Sequence, residues 1–164
     1  MTVRTGIGYD AHRFAVERRL VLGGVEIAHS VGLAGHSDAD VLLHAIVDAL
    51  LGAAALGDIG RHFPPSDPTW RDTDSRHFLM RAGELVQDAG FQIINVDATI
   101  IAEAPQIGPH AAAMCRFIAE TLGVGENEVS VKATTNEGMG FIGRAEGIVA
   151  IAVATIRPVA TKPE

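Results

Sequence analysis

The stretch Ile148-Val149-Ala150-Ile151-Ala152-Val153-Ala154-Thr155-Ile156 has the length and β-branched content of a strand, yet it does not alternate. A strand in a sheet with one solvated face carries an apolar residue at every second position. Here both faces are apolar, so both must be covered. Two arrangements do this and the sequence leaves them open: a central strand buried inside one chain, or a sheet whose second face packs on further copies of the chain. The second arises because the chain offers three long helical segments, enough to cover only one face of a small sheet.

The other elements follow from local pattern. Residues 2–9 alternate loosely and lead into Asp10-Ala11-His12, a strand expected to end in polar side chains. Leu20 to Ile27 reads as two short strands around Gly23-Gly24. A helix is expected after Ser37, with Ser37 as N-cap and Asp40 at N3, its apolar positions including Val41, Leu42, Ala45, Ala49 and Leu50. Gly57 to Asp74 carries Gly57, Gly60, Pro64, Pro65 and Pro68 and is expected to be a long loop; loops of that length are commonly functional. Helices are expected from about Asp74 to Ala89, closed by Gly90, and from near Pro109 to just before Gly123. Strands are expected over 91–103, 129–135 and 146–157. Without repeats or linkers, residues 1–157 read as a single domain and 158–164 as a tail. The fold class is α+β, a mixed β-sheet with helices packed on one face.

Composition narrows the function. The 164 residues are 48% hydrophobic, which supports a folded core without disulfides, and Cys115 is the single cysteine. Thirteen Lys and Arg against twenty Asp and Glu leave a formal charge of −7. That sign argues against nucleic acid and anionic membranes as partners. The first residues lack an apolar signal core, and Val41 to Gly57 is broken by His44 and Asp48 and too short for a bilayer. A cytoplasmic location is expected.

Four constellations can carry chemistry. Asp10 and His12 are two apart, so on a strand they share a face. With His44 they supply one carboxylate and two imidazoles, an inventory suited to Zn²⁺ with an open fourth position. Spacing alone favours the plainer reading, a surface pair and a core histidine. The helix start at Ser37, preceded by His36, is a second constellation, because free N–H groups there attract phosphate; it can also be an ordinary cap. In the third, Gly57-Asp58-Ile59-Gly60 and Phe63 to Asp67, backbone can approach a ligand while Asp58 and Asp67 accept from hydroxyls, unless they serve only the turns. The fourth is Lys132-Ala133-Thr134-Thr135-Asn136-Glu137, where two hydroxyls and the following N–H groups can bind a diphosphate and Glu137 can hold a second divalent ion. Gly138-Met139-Gly140-Phe141-Ile142-Gly143 fits GxGxxG, but it precedes a strand instead of following one, so it is not a dinucleotide fingerprint. Trp70 is too isolated to suggest a stacking platform.

In order along the chain stand Gly8-Tyr9-Asp10-Ala11-His12, Leu22-Gly23-Gly24, His36-Ser37-Asp38-Ala39-Asp40 with His44, Asp48-Ala49-Leu50-Leu51-Gly52-Ala53-Ala54-Ala55-Leu56-Gly57-Asp58-Ile59-Gly60, and Lys132-Ala133-Thr134-Thr135. This series resembles the 2-C-methyl-D-erythritol 2,4-cyclodiphosphate synthases of the non-mevalonate isoprenoid pathway, from about residue 3 to residue 157. The resemblance implies a homotrimer with sheets facing the trimer axis and active sites between subunits. It implies Zn²⁺ held by Asp10, His12 and His44, and a second ion, Mg²⁺ or Mn²⁺, on Glu137. The substrate would be 4-diphosphocytidyl-2-C-methyl-D-erythritol 2-phosphate, whose 2-phosphate attacks the β-phosphorus and releases CMP. His36 and Thr135 match residues that stabilise the transition state. Ser37 joins Asp10, His12 and His36 on the substrate; Asp58, Ile59 and Gly60 would take the methylerythritol part, with Phe63 to Asp67 as a flap. Ala102, Pro105, Ile107, Gly108, Thr134 and Thr135 would form a cytidine pocket. Phe141 and Arg144 match positions beside an axial cavity that can hold an isoprenoid diphosphate. The chain departs from the family at Gln106 and Gly138, where lysine is usual, and at Gly108. The alternative expectation is a trimeric binder of isoprenoid diphosphates without catalysis, which would have no need for Asp10, His12, His44 and His36.

Overall fold

A computed structural model describes residues 2–64, 66–70 and 73–159. In chain order its strands are β1 (Arg4–Ala15), β2 (Leu20–Leu22), β3 (Val25–Ile27), β4 (Gly32–Leu33), β5 (Phe91–Ile101), β6 (Val129–Thr134) and β7 (Gly147–Pro158). The helices are α1 (Val41–Ala53), α2 (Ile59–His62), α3 (Ser75–Asp88), α4 (Ala111–Leu122) and α5 (Gly140–Gly143). Five strands form one mixed sheet in the order β4-β1-β7-β5-β6, and β2-β3 is a separate hairpin. β5 and β6 run parallel, joined through α4, while the other pairs are antiparallel. The class is α+β, as the alternation of patterns implies.

The strand that resists alternation, β7, is the centre of the sheet. Its Ile148, Ala150, Ala152, Ala154 and Ile156 are fully buried on one side. On the other side Val149 is buried, while Ile151, Val153 and Thr155 are half-buried. Their cross-strand neighbours on β1 stand in the open: Ile7, opposite Val153, is 70% exposed, and Tyr9, opposite Ile151, is 56% exposed.

Helix α1 lies on a floor of very small residues. Gly6 pairs with Ala154 and Gly8 with Ala152. A Cβ on Gly8 would overlap the carbonyl oxygen of Ala45, and one on Gly6 that of Ala49. The α1 backbone therefore rests directly on β1, which fixes His44 on α1 above Asp10 and His12 on β1.

The start of α1 differs from expectation. Asp40, not Ser37, is the N-cap, and its carboxylate accepts the N–H of Leu43 at 3.1 Å. The same fully buried carboxylate accepts the N–H groups of Gly23 at 2.9 Å and Gly24 at 2.7 Å, tying the β2-β3 turn to the helix. One N–H of the helix terminus is thus taken by the chain's own carboxylate. Asp40→Ala would orphan three N–H groups, each costing about 1–3 kcal/mol when buried without a partner. Denaturant unfolding should show a loss of at least about 2 kcal/mol, after release of the desolvated charge offsets part of that cost.

Other differences come from elements too short to have a period. Asp58 caps the single turn α2 inside the expected loop, and Pro68–Trp70 forms a 3-10 turn. β4 has two residues and α5 four. Pro158, expected in the tail, is the last residue of β7 and pairs with Phe91. Residues 160–164 of that tail, and Pro65 of the expected flap, lie outside the described residues. Among the described residues no helix is long and apolar enough to cross a membrane.

Candidate active site

Asp10 and His12 project from β1 toward the helix layer, and His44 descends from the second turn of α1. Asp10 Oδ2 lies 2.9 Å from His12 Nε2 and 3.1 Å from His44 Nδ1, and the two ring nitrogens are 3.3 Å apart. Donors about 2.0–2.1 Å from a tetrahedral ion sit about 3.3 Å from one another, so the three atoms form one face of such a shell. Among the described residues no other group of three or more His, Cys, Asp or Glu donors comes as close together.

Hydrogen bonds aim the donors. His12 Nδ1–H donates to the Ala34 carbonyl at 2.6 Å, so Nε2, the nitrogen toward Asp10, carries a lone pair in the neutral ring and donates to Asp10 when the ring is charged. Burial pushes the Asp10 carboxyl up, but the hydrogen bonds and charges of His12 and His44 overcome it and hold the group well below the usual carboxylate range. For His12, burial pulls down, while the bond to Asp10 and its charge prevail and raise the ring above the ordinary histidine value. Asp10 is therefore ionised across the working range, and a proton on the His12 ring competes with a metal. Metal loading should fall as pH drops through that raised value, by about tenfold per unit once the ring is protonated. A chelator-competition titration at several pH values checks this; affinity that rises in acid would contradict it.

The three donors open into a cleft of about 230 Å³. Gly35, His36 and Ser37 form one wall and Ile59, Gly60 and Phe63 another. Phe63, Trp70 and Phe78 pack edge-on or tilted with centroids 4.9–5.6 Å apart and make the apolar end. Trp70, set aside in the sequence as isolated, thus belongs to the cleft; its neighbours come from other elements. Asp48 Oδ1 accepts the Ile59 N–H at 2.7 Å and holds that wall, with burial raising its carboxyl. Asp58 and Asp67 are partly committed to local structure, accepting the N–H groups of Arg61 and Thr69 at 2.9 Å each. Hydrogen bonds from Thr69 keep Asp67 below the usual carboxylate range.

The remaining candidates gather elsewhere. Ala102 N–H donates to the Thr134 carbonyl at 3.0 Å, joining the stretch that runs on through Pro105, Ile107 and Gly108 to the end of β6. The N–H groups expected to cradle a diphosphate are already used: Glu103 Oε1 accepts from Asn136 at 2.9 Å and Gly138 at 3.3 Å, and Thr135 Oγ1 accepts from Glu137. What remains open is the exposed rim of Thr134, Thr135 and Glu137, with Thr135 Oγ1 donating to Glu137 Oε1 at 3.0 Å. Register places this rim level with His12, three strand spacings away, or roughly 14 Å. The two groups do not line one cleft within a chain. Phe141 lines a second cavity of about 510 Å³ with Ala11, His12, Arg13 and Phe14, so His12 borders both it and the cleft, and Arg144 donates to Glu146 at 2.6 Å.

Fold and site together define a class: an α+β protein whose small-residue floor presents a three-donor candidate site for a divalent metal at the end of a narrow cleft. Within that class the chain belongs to the YgbB family, which matches residues 3–157. It is 55% identical over 94% of its length to the 2-C-methyl-D-erythritol 2,4-cyclodiphosphate synthase of Prosthecochloris aestuarii, covering 98% of that protein. It is 60% identical over 93% of its length to the bifunctional enzyme IspD/IspF of Novosphingobium aromaticivorans, where it spans only 40% of the relative. The Plasmodium falciparum IspF CDP complex superimposes with a TM-score of 0.85 at 36% identity, covering 96% of this chain and 97% of that one. The bifunctional IspDF of Campylobacter jejuni gives 0.93 at 41% identity, covering 96% of this chain and 43% of that one.

Proposed function

We propose that this chain, as a single catalytic unit over residues 1–157, converts 4-diphosphocytidyl-2-C-methyl-D-erythritol 2-phosphate to 2-C-methyl-D-erythritol 2,4-cyclodiphosphate with release of CMP. The observation that carries the reading is the Asp10-His12-His44 donor face in its cleft, on a chain that matches a synthase of that name along nearly its whole length. The neighbour that binds CDP supports a cytidine nucleotide as the leaving part.

The reaction needs no protein nucleophile. A 2-phosphate oxygen forms a bond to the β-phosphorus while the bond from that phosphorus to the α-phosphate oxygen breaks, and CMP takes the electron pair. The chain's task is to hold two anions against each other and make the step intramolecular. A Zn²⁺ ion on Asp10, His12 and His44 would supply Lewis-acid polarisation of a phosphate oxygen. His36 and Ser37 sit on the rim beside it as hydrogen-bond donors, Thr135 supplies a hydroxyl, and the apolar end of the cleft excludes water. Glu137 is a lone carboxylate; Mg²⁺ or Mn²⁺ there would take its other ligands from phosphate and water.

The distance between the two groups supports sites shared between chains. In this reading the open sheet face, with Ile7, Tyr9, Ile151 and Val153, packs on two further copies around a three-fold axis. The rim of Thr134 to Glu137 and the Ala102 to Gly108 pocket then complete a neighbour's cleft. Phe141 and Arg144 would face the axis, where an isoprenoid diphosphate can lodge.

Incubation with the cytidyl substrate and Mg²⁺, followed by phosphorus NMR, tests the activity. The expected products are a cyclic diphosphate and CMP. Linear phosphates would make the protein a hydrolase, and intact substrate beside a bound isoprenoid diphosphate would leave only the non-catalytic binder.

A further inference from the structure

The loop before α1 and the first residue of α3 meet behind His44, away from the donor face. His44 Nε2 lies 2.9 Å from Ser75 Oγ, and Ser75 is fully buried. Ser75 Oγ–H donates to Asp38 Oδ1, and Ser75 N–H donates to Asp38 Oδ2 at 3.0 Å. Asp38 N–H in turn donates to the Thr73 carbonyl at 3.3 Å, so the two segments are strapped in both directions.

A serine hydroxyl has one proton, and an ionised carboxylate only accepts. With its proton given to Asp38, Ser75 Oγ can only accept from His44. The neutral imidazole that completes this bond carries its proton on Nε2 and keeps its lone pair on Nδ1, against the pull of the Asp10 carboxylate 3.1 Å from Nδ1. Nδ1 is the nitrogen that faces Asp10 and His12. The other nearby hydroxyl, Ser37 Oγ, is farther from Nε2 at 3.4 Å and already accepts the Ala39 N–H.

From this geometry we infer that Ser75 and Asp38 are positioning residues that fix the tautomer and ring orientation of His44 and so preset it as a metal ligand through Nδ1. The inference rests on the metal reading for its purpose, but the tautomer can be measured without any ion. Outer partners of this kind alter metal affinity by about 10–100-fold.

Two measurements on the full chain test it. In metal-free protein labelled with nitrogen-15 on histidine, at alkaline pH, the His44 resonances, assigned by their loss in His44→Gln, should show a protonated Nε2 and a bare Nδ1. A protonated Nδ1 overturns the inference whatever any variant does. Next, Ser75→Ala should keep its circular dichroism, populate both tautomers and bind Zn²⁺ about 10–100-fold more weakly in chelator competition. The bound Co²⁺ spectrum should change as well. Ser75→Thr, which keeps the hydroxyl, should restore the tautomer and the affinity. Unchanged affinity and tautomer in Ser75→Ala would remove the positioning role and leave the metal site standing. A wild-type chain with the Nε2 proton but no Zn²⁺ affinity would do the reverse, ending the metal reading alone.

Discussion

Gly8→Ala is expected to yield little or no folded protein, the largest effect of any single methyl group added to this chain. The new Cβ would overlap the carbonyl oxygen of Ala45 and crowd the Ala49 nitrogen, both backbone atoms of α1. Backbone cannot rotate away as a flexible side chain can. Relief requires lifting α1 off β1, which opens the interface that buries Ala45, Ala49, Ala150 and Ala152. Overpacking that moves a central helix should exceed about 4 kcal/mol, a large part of the 5–15 kcal/mol that holds a domain together. Gly52→Ala is the control. Gly52 is an exposed residue on the same helix, and its nearest potential contact is 4.0 Å away. There the helix preference for alanine should add up to about 1 kcal/mol. Thermal unfolding should therefore move in opposite directions for the two variants, and a Gly8→Ala protein melting within a few degrees of wild type would show that α1 does not rest on β1 as described.

The same contact shows why much of this fold was legible in the sequence. Long elements announced themselves by period, and the unalternating strand at 148–156 required cover on both faces. The cap of α1 was not legible. His36-Ser37-Asp38-Ala39-Asp40 holds three side chains able to cap a helix, and local pattern ranks them alike. Two N–H groups from the distant turn at Gly23 and Gly24 decide for Asp40. Asp10, His12 and His44 were legible because their residue types are scarce and their order resembles a family. Ser75 was not, since a serine at a helix start is ordinary, and its meaning depends on Asp38, 37 positions earlier. Glu103 was missed for the same reason. Its carboxylate takes the Asn136 and Gly138 N–H groups of the 136–138 turn from the segment that follows β5.

Mixing two inactive variants should restore activity, and the amount is set by geometry. His44→Ala removes one donor of the metal face and should lower turnover by about 10³-fold or more, with loss of bound Zn²⁺. Thr135→Ala removes a hydroxyl from the rim roughly 14 Å away across the sheet and should cost about 10²-fold or more. If each site joins the donor face of one chain to the rim of the next, a trimer containing both variants always has one site built from two intact halves. Every mixed trimer has one good site of three, so isolated mixed trimers should show about a third of wild-type activity. The samples are prepared by co-expression with two different tags, and mixed trimers are isolated and weighed before assay. Should verified mixed trimers stay as inactive as their parents, the two groups would not act in one shared site, and the interfacial arrangement would fall. Were either variant to remain monomeric throughout, the apolar face carrying Ile7, Tyr9, Ile151 and Val153 would need another occupant. Recovery near a third would tie together three features that a single chain leaves apart: an open apolar sheet face, a donor face and a distant hydroxyl rim.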